Sequence, residues 1–243
     1  MKAIAIHNYG TEEAFVLIDL PEPVPEEHQV VIELYATSIN PIDWKLREGY
    51  LKERLPFEFP IILGWDAAGV IHKVGRKVTK WQPGDRVFAR PATTARGTYA
   101  EFTTVDEGLL ARVPEDVSFT EAAATPLAGL TAWQCLFDFA RLQAGEKVLV
   151  HAGAGGVGSF AIQLAKHAGA TVCATGGPES LPIMKTLGAD QVFNYKNTEE
   201  ALPADFDVVL DTVGGKTQEQ SFDLLKAGGR LVSIVQPPSE ELA

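Results

Sequence analysis

EKVLVHAGAGGVGSFAIQLAKHA, Glu146 to Ala168, decides the fold. Val148, Leu149 and Val150 form a short unbroken apolar run, the pattern of a parallel strand covered on both faces. Gly153, Gly155 and Gly158 then spell G-x-G-x-x-G. Beyond them Val157, Phe160, Ala161, Leu164, Ala165 and Ala168 fall on one face of a helix. In such a strand–turn–helix unit one glycine permits a tight turn with positive φ. A second lets backbone approach a pyrophosphate, and a third lets the helix start pack close on the strand. The helix N-terminus, from Gly156 and Val157 onward, offers free N–H groups and partial positive charge to phosphates. The context makes this a dinucleotide site rather than a structural glycine turn.

The next apolar run, Thr171 to Thr175, reads as the second strand. A site for NAD places an acid about 20 residues into the unit, on the ribose 2′-hydroxyl. Here that place holds Thr175, Gly176 and Gly177, and the first acid, Glu179, comes later. Room is left for a 2′-phosphate, so the expected cofactor is NADPH. No Arg or Lys directly follows the strand; Ser180, Lys185, Tyr195 and Lys196 are the candidates for holding the phosphate.

Working outward, the chain has 243 residues, enough for two modest domains. A net charge of −11 sets it against nucleic acid and anionic membrane as partners. Cys135 and Cys173 sit in apolar segments and read as buried small hydrophobes, which suits a reducing cytoplasm. No stretch is apolar and long enough to span a bilayer, and Met1 to His7 lacks a signal-peptide core.

Residues 1–120 read as a barrel domain of short strands: KAIAIH, VLIDL, Gln29–Ile39, Ile61–Gly75, RVFAR, Gly97–Val105 and Leu109–Val113, with a short helix over Asn40–Gly49. Ser118 to Glu121 fits a capping box. Two helical pieces follow, split at Pro126, the second running to about Ala140. In residues 121–243 strands and helices then alternate: TVCAT, a helix over Leu181, Met184 and Leu187, QVFNY, FDVVL, a helix around Phe222 and Leu225, and RLVSIV. Alternation implies an α/β doubly wound parallel sheet of five strands, one short of a full dinucleotide fold.

The chain resembles the medium-chain dehydrogenase/reductase superfamily, in its zinc-less quinone oxidoreductase and enone reductase branch. The motifs are NPxDxKxRxG at Asn40–Gly49, LGxDxAGxVxxVG at Leu63–Gly75, PGDRV at Pro83–Val87, YAEF at Tyr99–Phe102, PLAGLTAW at Pro126–Trp133, AGxGGVG at Ala152–Gly158, DxVGG at Asp211–Gly215 and GGRLVSI at Gly228–Ile234. The resemblance implies a GroES-like β-barrel followed by a Rossmann domain, with the active site in the cleft between them. It also implies a C-terminal continuation, so the last part of the sheet is expected to be missing here, and a homodimer where that segment is present. By the same resemblance Thr131 lies near the cofactor, and Val213 and Gly214 line its nicotinamide side.

No metal is expected. Where zinc-dependent relatives carry a cysteine and a His-Glu pair, this chain has Ile39-Asn40 and Trp65-Asp66, and residues 90–97 lack the cysteine-rich loop. His7, His28, His72, His151 and His167 show no ligand spacing and read as surface or strand residues. Without a Lewis acid, unactivated alcohols are poor substrates. Electrophilic acceptors, quinones and α,β-unsaturated carbonyls, are the expected ones. The developing charge on their oxygen needs donors; the candidates are Lys45, where many quinone reductases of the branch carry Tyr, and Asn40. A solvated lysine and a turn cap beside Pro41 are the alternatives for these two. Trp44, Tyr50, Phe57 and Trp65 are either a substrate wall or core, and Asp211 orders its loop rather than acting as an acid. A binding protein without turnover and a zinc alcohol dehydrogenase are the competing functions.

Overall fold

The computed structural model describes residues 1–197 and 201–241, in two units, Met1–Leu127 and Ala128–Ala243. In the first unit the strands are short, and β3 and β5 bury consecutive residues on both faces over part of their length. β1 (Lys2–Ile6) pairs antiparallel with β2 (Phe15–Asp19). β3 (Gln29–Ala36) leads into helix α1 (Pro41–Arg47), which Pro41 opens. Then come β4 (Ile61–Ile62), β5 (Ala67–Val74), β6 (Arg86–Ala89), β7 (Phe102–Asp106) and β8 (Leu110–Arg112). They form a three-stranded sheet in the order β2-β1-β4 and an antiparallel five-stranded sheet in the order β7-β3-β5-β6-β8.

One short segment laces the two sheets into the expected small barrel. Tyr99 O accepts Ile4 N–H at 2.8 Å, Glu101 N–H donates to Lys2 O at 3.0 Å, and Glu101 O accepts Leu34 N–H at 2.9 Å. Because residues 97–101 serve both sheets, the strand expected over Gly97–Val105 is regular only from Phe102. The single strand expected over Ile61–Gly75 is likewise two. Gly64 breaks it at φ +89°, where an added Cβ would lie 2.5 Å from Thr98 Oγ1 and from the Tyr99 ring.

Helix α2 (Phe119–Ala123) carries the capping box: Ser118 Oγ accepts Glu121 N–H at 3.2 Å and Glu121 Oε2 accepts Ser118 N–H at 2.9 Å. Helix α3 (Pro126–Trp133) continues as a π-helix over Gln134–Phe139 and ends at Ala140, the end expected for the second helical piece.

The second unit winds β9 (Lys147–Val150), α4 (Gly156–His167), β10 (Thr171–Gly176), α5 (Leu181–Thr186), β11 (Gln191–Asn194), β12 (Phe206–Asp211), α6 (Gly215–Ser221) and β13 (Leu225–Ser233). All five strands are parallel, in the order β11-β10-β9-β12-β13. Side-chain alternation divides each strand between two cores. Val148, Val150, Val172, Ala174, Val208 and Leu210 meet Ala161, Ile162, Ala165 and Met184 on one face. Leu149, Cys173, Phe206 and Val209 meet Leu202, Leu224 and Leu231 on the other. This double burial is why the strand sequences are unbroken apolar runs.

Two details differ from the sequence reading. The fully buried stripe of α4 is Gly158, Ala161, Ile162 and Ala165, whereas Val157, Phe160 and Leu164 are only partly covered. The helix expected around Phe222 and Leu225 lies earlier, as α6, followed by one 3-10 turn over Phe222–Leu224; Leu225 already belongs to β13.

Candidate functional site

Strand order reverses between β9 and β12, and crevices beyond the carboxyl ends of strands at such a point hold ligands in doubly wound sheets. A cavity of about 960 Å³ opens there, entirely within the second unit. Of the residues singled out in the sequence, Gly155, Thr175, Gly176, Gly177, Ser180, Tyr195 and Val213 line it. Gly153, Gly156, Val157, Gly158, Thr131 and Gly214 do not.

The glycine roles are distributed differently from expectation. None of Gly153, Gly155 and Gly158 has positive φ; the left-handed residue of the turn is Ala152, at φ 48°. Gly153 and Gly158 are packing glycines. A Cβ on Gly153 would lie 2.8 Å from Ala174 Cβ and Met184 Sδ, and one on Gly158 would lie 2.4 Å from Ala152 O. Gly155, the N-cap of α4, is different: its Cβ would meet only Ala152 O, at 3.2 Å. The backbone there faces open space beside the free N–H groups of the first helical turn, the arrangement that accepts a pyrophosphate. Gly177 is similarly open, its nearest neighbour being the Tyr195 ring at 3.7 Å. Gly176 is closed by Met184, whose Cε an added Cβ would approach to 2.7 Å.

The rim beyond β10 brings together Ser180, Tyr195 and Lys196, three of the four candidates for a 2′-phosphate. Lys196 Nζ stands 6.0 Å from the Tyr195 ring centroid. Lys185, on α5, is exposed and is not among the residues that line the cavity. The acid Glu179 is also on the rim.

His151, read from sequence as an unremarkable strand histidine, is instead buried in the cavity floor, 4% exposed. Its Nδ1 lies 3.0 Å from Thr175 Oγ1 and its Nε2 3.0 Å from Ser221 Oγ. Burial lowers its pKa to about 4, with only the Asp211 charge opposing. The available signal was position: it directly follows the first strand of the parallel sheet and begins the glycine turn.

Asp211 closes β12 with a fully buried carboxylate. Its Oδ1 accepts the N–H groups of Val213 and Gly214 at 2.9 and 2.8 Å, and its Oδ2 accepts Ser233 Oγ–H and Gln218 Nε2–H at 2.8 and 3.0 Å. Burial works against the charge, but these four donors outweigh it and the pKa is lowered. Asp211 therefore orders its loop: it holds Gly214, at φ +80° against Val235, and sets Val213 into the cavity wall.

In the first unit, Asn40 and Lys45 stand at the start and middle of α1. Asn40 donates its side-chain amide to Asp66 Oδ2 at 2.8 Å and to Ser38 Oγ at 3.0 Å, so both amide protons are engaged within the chain. Asp66 also accepts Leu127 N–H at 2.7 Å and the Ser38 hydroxyl. Asp43 accepts Asn40 N–H at 2.6 Å and Tyr99 O–H at 2.9 Å. Burial raises the Asp43 pKa against those two bonds, and burial with the Asp43 charge raises that of Tyr99. Arg90 is shifted down by burial, countered by Asp66.

Lys45 is half-buried and forms no ion pair with a carboxylate among the described residues. Its Nζ lies 5.8 Å from the Trp44 ring, which meets Tyr50 edge-on at 5.9 Å. Trp44 and Tyr50 are 42% and 70% exposed and remain available to a ligand, whereas Trp65 is core and Phe57 packs on the same cluster. No group of three or more His, Cys, Asp or Glu among the described residues is placed to hold a metal. No helix among them is long and apolar enough to cross a membrane.

A family described as alcohol dehydrogenase GroES-like domain matches residues 26–115, and one described as zinc-binding dehydrogenase matches residues 156–241. The chain is 38% identical, over 98% of its length, to the chloroplast envelope quinone oxidoreductase homolog of Arabidopsis thaliana, spanning 76% of that protein. It is 39% identical, again over 98%, to the chloroplastic NADPH-dependent alkenal/one oxidoreductase of the same plant, spanning 64% of it. Among solved structures, the Escherichia coli quinone oxidoreductase complexed with NADPH superposes with a TM-score of 0.85 at 33% identity, covering 96% of this chain and 72% of that one.

Proposed function

The chain belongs to the medium-chain dehydrogenase/reductase superfamily, in its quinone oxidoreductase and enone reductase branch, and from that premise we propose that it reduces quinones or α,β-unsaturated carbonyls with NADPH and without zinc. One observation carries the cofactor: the open backbone at Gly155, facing the cavity at the start of α4. The residues fit a dinucleotide, since a side chain at Gly155 or Gly177 would occupy the space a phosphate or ribose needs. Gly155 and the first turn of α4 would hold the pyrophosphate, Ser180, Tyr195 and Lys196 the 2′-phosphate, and Val213 the nicotinamide end. The absence of an acid at Thr175–Gly177 and the NADPH of the E. coli and Arabidopsis relatives support NADPH over NADH.

When bound, NADPH supplies a hydride. The chain's own part is to bind the acceptor and stabilise the charge that grows on its oxygen. Lys45, which forms no ion pair among the described residues, lies beside the exposed Trp44–Tyr50 pair, which suits a planar apolar acceptor. Both amide protons of Asn40 are engaged by Asp66 and Ser38, so we assign it first to ordering the entry of α1. Zinc independence is supported by the hydrogen-bonded state of Asp66, whose partners Ser38, Asn40 and Leu127 are neutral donors, despite the name of the second family. The free thiols Cys135 and Cys173 support a reducing compartment such as the cytoplasm.

The test is NADPH oxidation followed with a panel of quinones and enals. Turnover of at least one class is expected. NADPH binding with no turnover overturns the enzymatic reading, and stoichiometric zinc by elemental analysis overturns the metal-free one.

A further inference from the structure

The floor of the cavity holds an imidazole for which hydride transfer has no need. His151 joins three chain segments: it follows β9, and its ring meets Thr175 near the end of β10 and Ser221 at the end of α6. The partners stand 24 and 70 residues away in sequence. The protons can be placed. Ser221 gives its one hydroxyl proton to Thr217 O at 2.6 Å. Its oxygen must then accept, so Nε2 carries the imidazole proton. Nδ1 is bare and accepts the Thr175 hydroxyl proton. The ring is neutral, both nitrogens are used, and no proton is left for acid or base chemistry.

The consequence is mechanical. Thr175 and Thr217 both line the cavity, and His151 ties the first directly and the second through Ser221. Thr175 also occupies the place where an NAD site carries its ribose anchor. Its only proton is directed into the floor, which withholds that hydroxyl as a donor to a ribose.

We propose that His151 is a positioning residue: a neutral strut that sets the spacing of two walls of the dinucleotide cavity and keeps the Thr175 hydroxyl turned away from the ligand. This rests on the reading of the cavity as the NADPH site.

The test is fluorescence titration of NADPH into the full chain and into His151→Gln, Ser221→Ala, Ser221→Thr and the Ser221→Ala/His151→Gln double variant, with thermal melting of each. Ser221→Ala and His151→Gln are expected to weaken NADPH binding about fivefold or more, the worth of one buried hydrogen bond. The rate at saturating NADPH should stay within about twofold, so that KM moves and kcat does not. Ser221→Thr should restore affinity, and the double variant should bind no more weakly than His151→Gln alone, because Ser221 acts through the ring. Unchanged affinity in variants that melt like wild type, or additive losses in the double variant, overturns the strut alone. A wild-type chain that binds no NADPH overturns the cavity reading, and the strut with it.

Discussion

The side-chain amide of Asn40 donates at 2.8 Å to the carboxylate of Asp66, a residue 1% exposed and 26 positions later in the chain. The bond joins the turn into α1 to the turn into β5. Removing the carboxylate deletes the bonds it accepts from Ser38 Oγ–H, the Asn40 amide and Leu127 N–H. Asp66→Ala should therefore destabilise the chain by about 2–4 kcal/mol. Asn40→Ala should cost less, and the pair should be non-additive in urea denaturation. Additive losses would mean that Asn40 is not held by Asp66.

The two kinds of glycine in the loop separate by substitution. Gly155→Val sets a Cβ 3.2 Å from Ala152 O, a tight contact that should cost about 1 kcal/mol, and should weaken NADPH binding about tenfold or more. Gly158→Ala brings a methyl into Ala152 O and should destabilise the chain by about 2 kcal/mol before any effect on binding is read. Unchanged NADPH affinity in Gly155→Val refutes the pyrophosphate assignment.

Charge at the rim is tested by two lysines. Lys196→Ala should weaken NADPH about fivefold, less at high salt, with NADH little changed. Lys185→Ala, remote from the cavity, should change neither. A larger effect from Lys185 would reverse the assignment. NADPH should also bind the wild-type chain more tightly than NADH; equal affinities remove the 2′-phosphate argument.

Acid should weaken the fold through His151. Its folded pKa, about 4, lies below the usual 6.5. The stability of the neutral ring is complete above pH 6.5 and is lost as pH falls from there toward 4, because only the unfolded chain takes up the proton. Thr175 and Ser221 face the ring directly, and among the described residues the charge of Asp211 acts on it. The loss amounts to about 3 kcal/mol at most. Asp211, with its pKa lowered, adds a second loss below the normal carboxylate value of 3.8, complete once pH passes its folded pKa. His151→Gln should flatten the melting curve between pH 6.5 and 4.5, and an unchanged slope would contradict the buried neutral ring.

Lys45→Met should lower kcat/KM for quinones and enals about a hundredfold, the worth of one charged donor at a developing oxyanion, with NADPH affinity retained. A loss seen only as weaker NADPH binding would remove Lys45 from the chemistry.

Local pattern made much of this legible. Period-2 alternation marked β1, and unbroken apolar runs marked β9, β10 and β12, because a strand's burial is written in its own residues; β3 was expected to alternate but buries Val30, Val31 and Ile32 in succession. The spacing of Ser118 and Glu121 marked the start of α2, and the spacing of Gly153, Gly155 and Gly158 marked the turn between β9 and α4. Periodicity says less where one segment serves two sheets, as at residues 97–101, or where a strand is cut by a residue such as Gly64 that packs against distant Thr98 and Tyr99.

The amino-acid order by itself determined the two-part architecture, the five-stranded parallel sheet and the location of the glycine turn, since each depends on neighbours a few residues apart. Only the tertiary structure decided that Ala152, not a glycine, takes the left-handed turn position, that Gly155 alone of the three faces open space, and that His151 lies between Thr175 and Ser221. Those outcomes are contacts between segments far apart in sequence, and no spacing within a segment encodes which atoms will close on it from elsewhere.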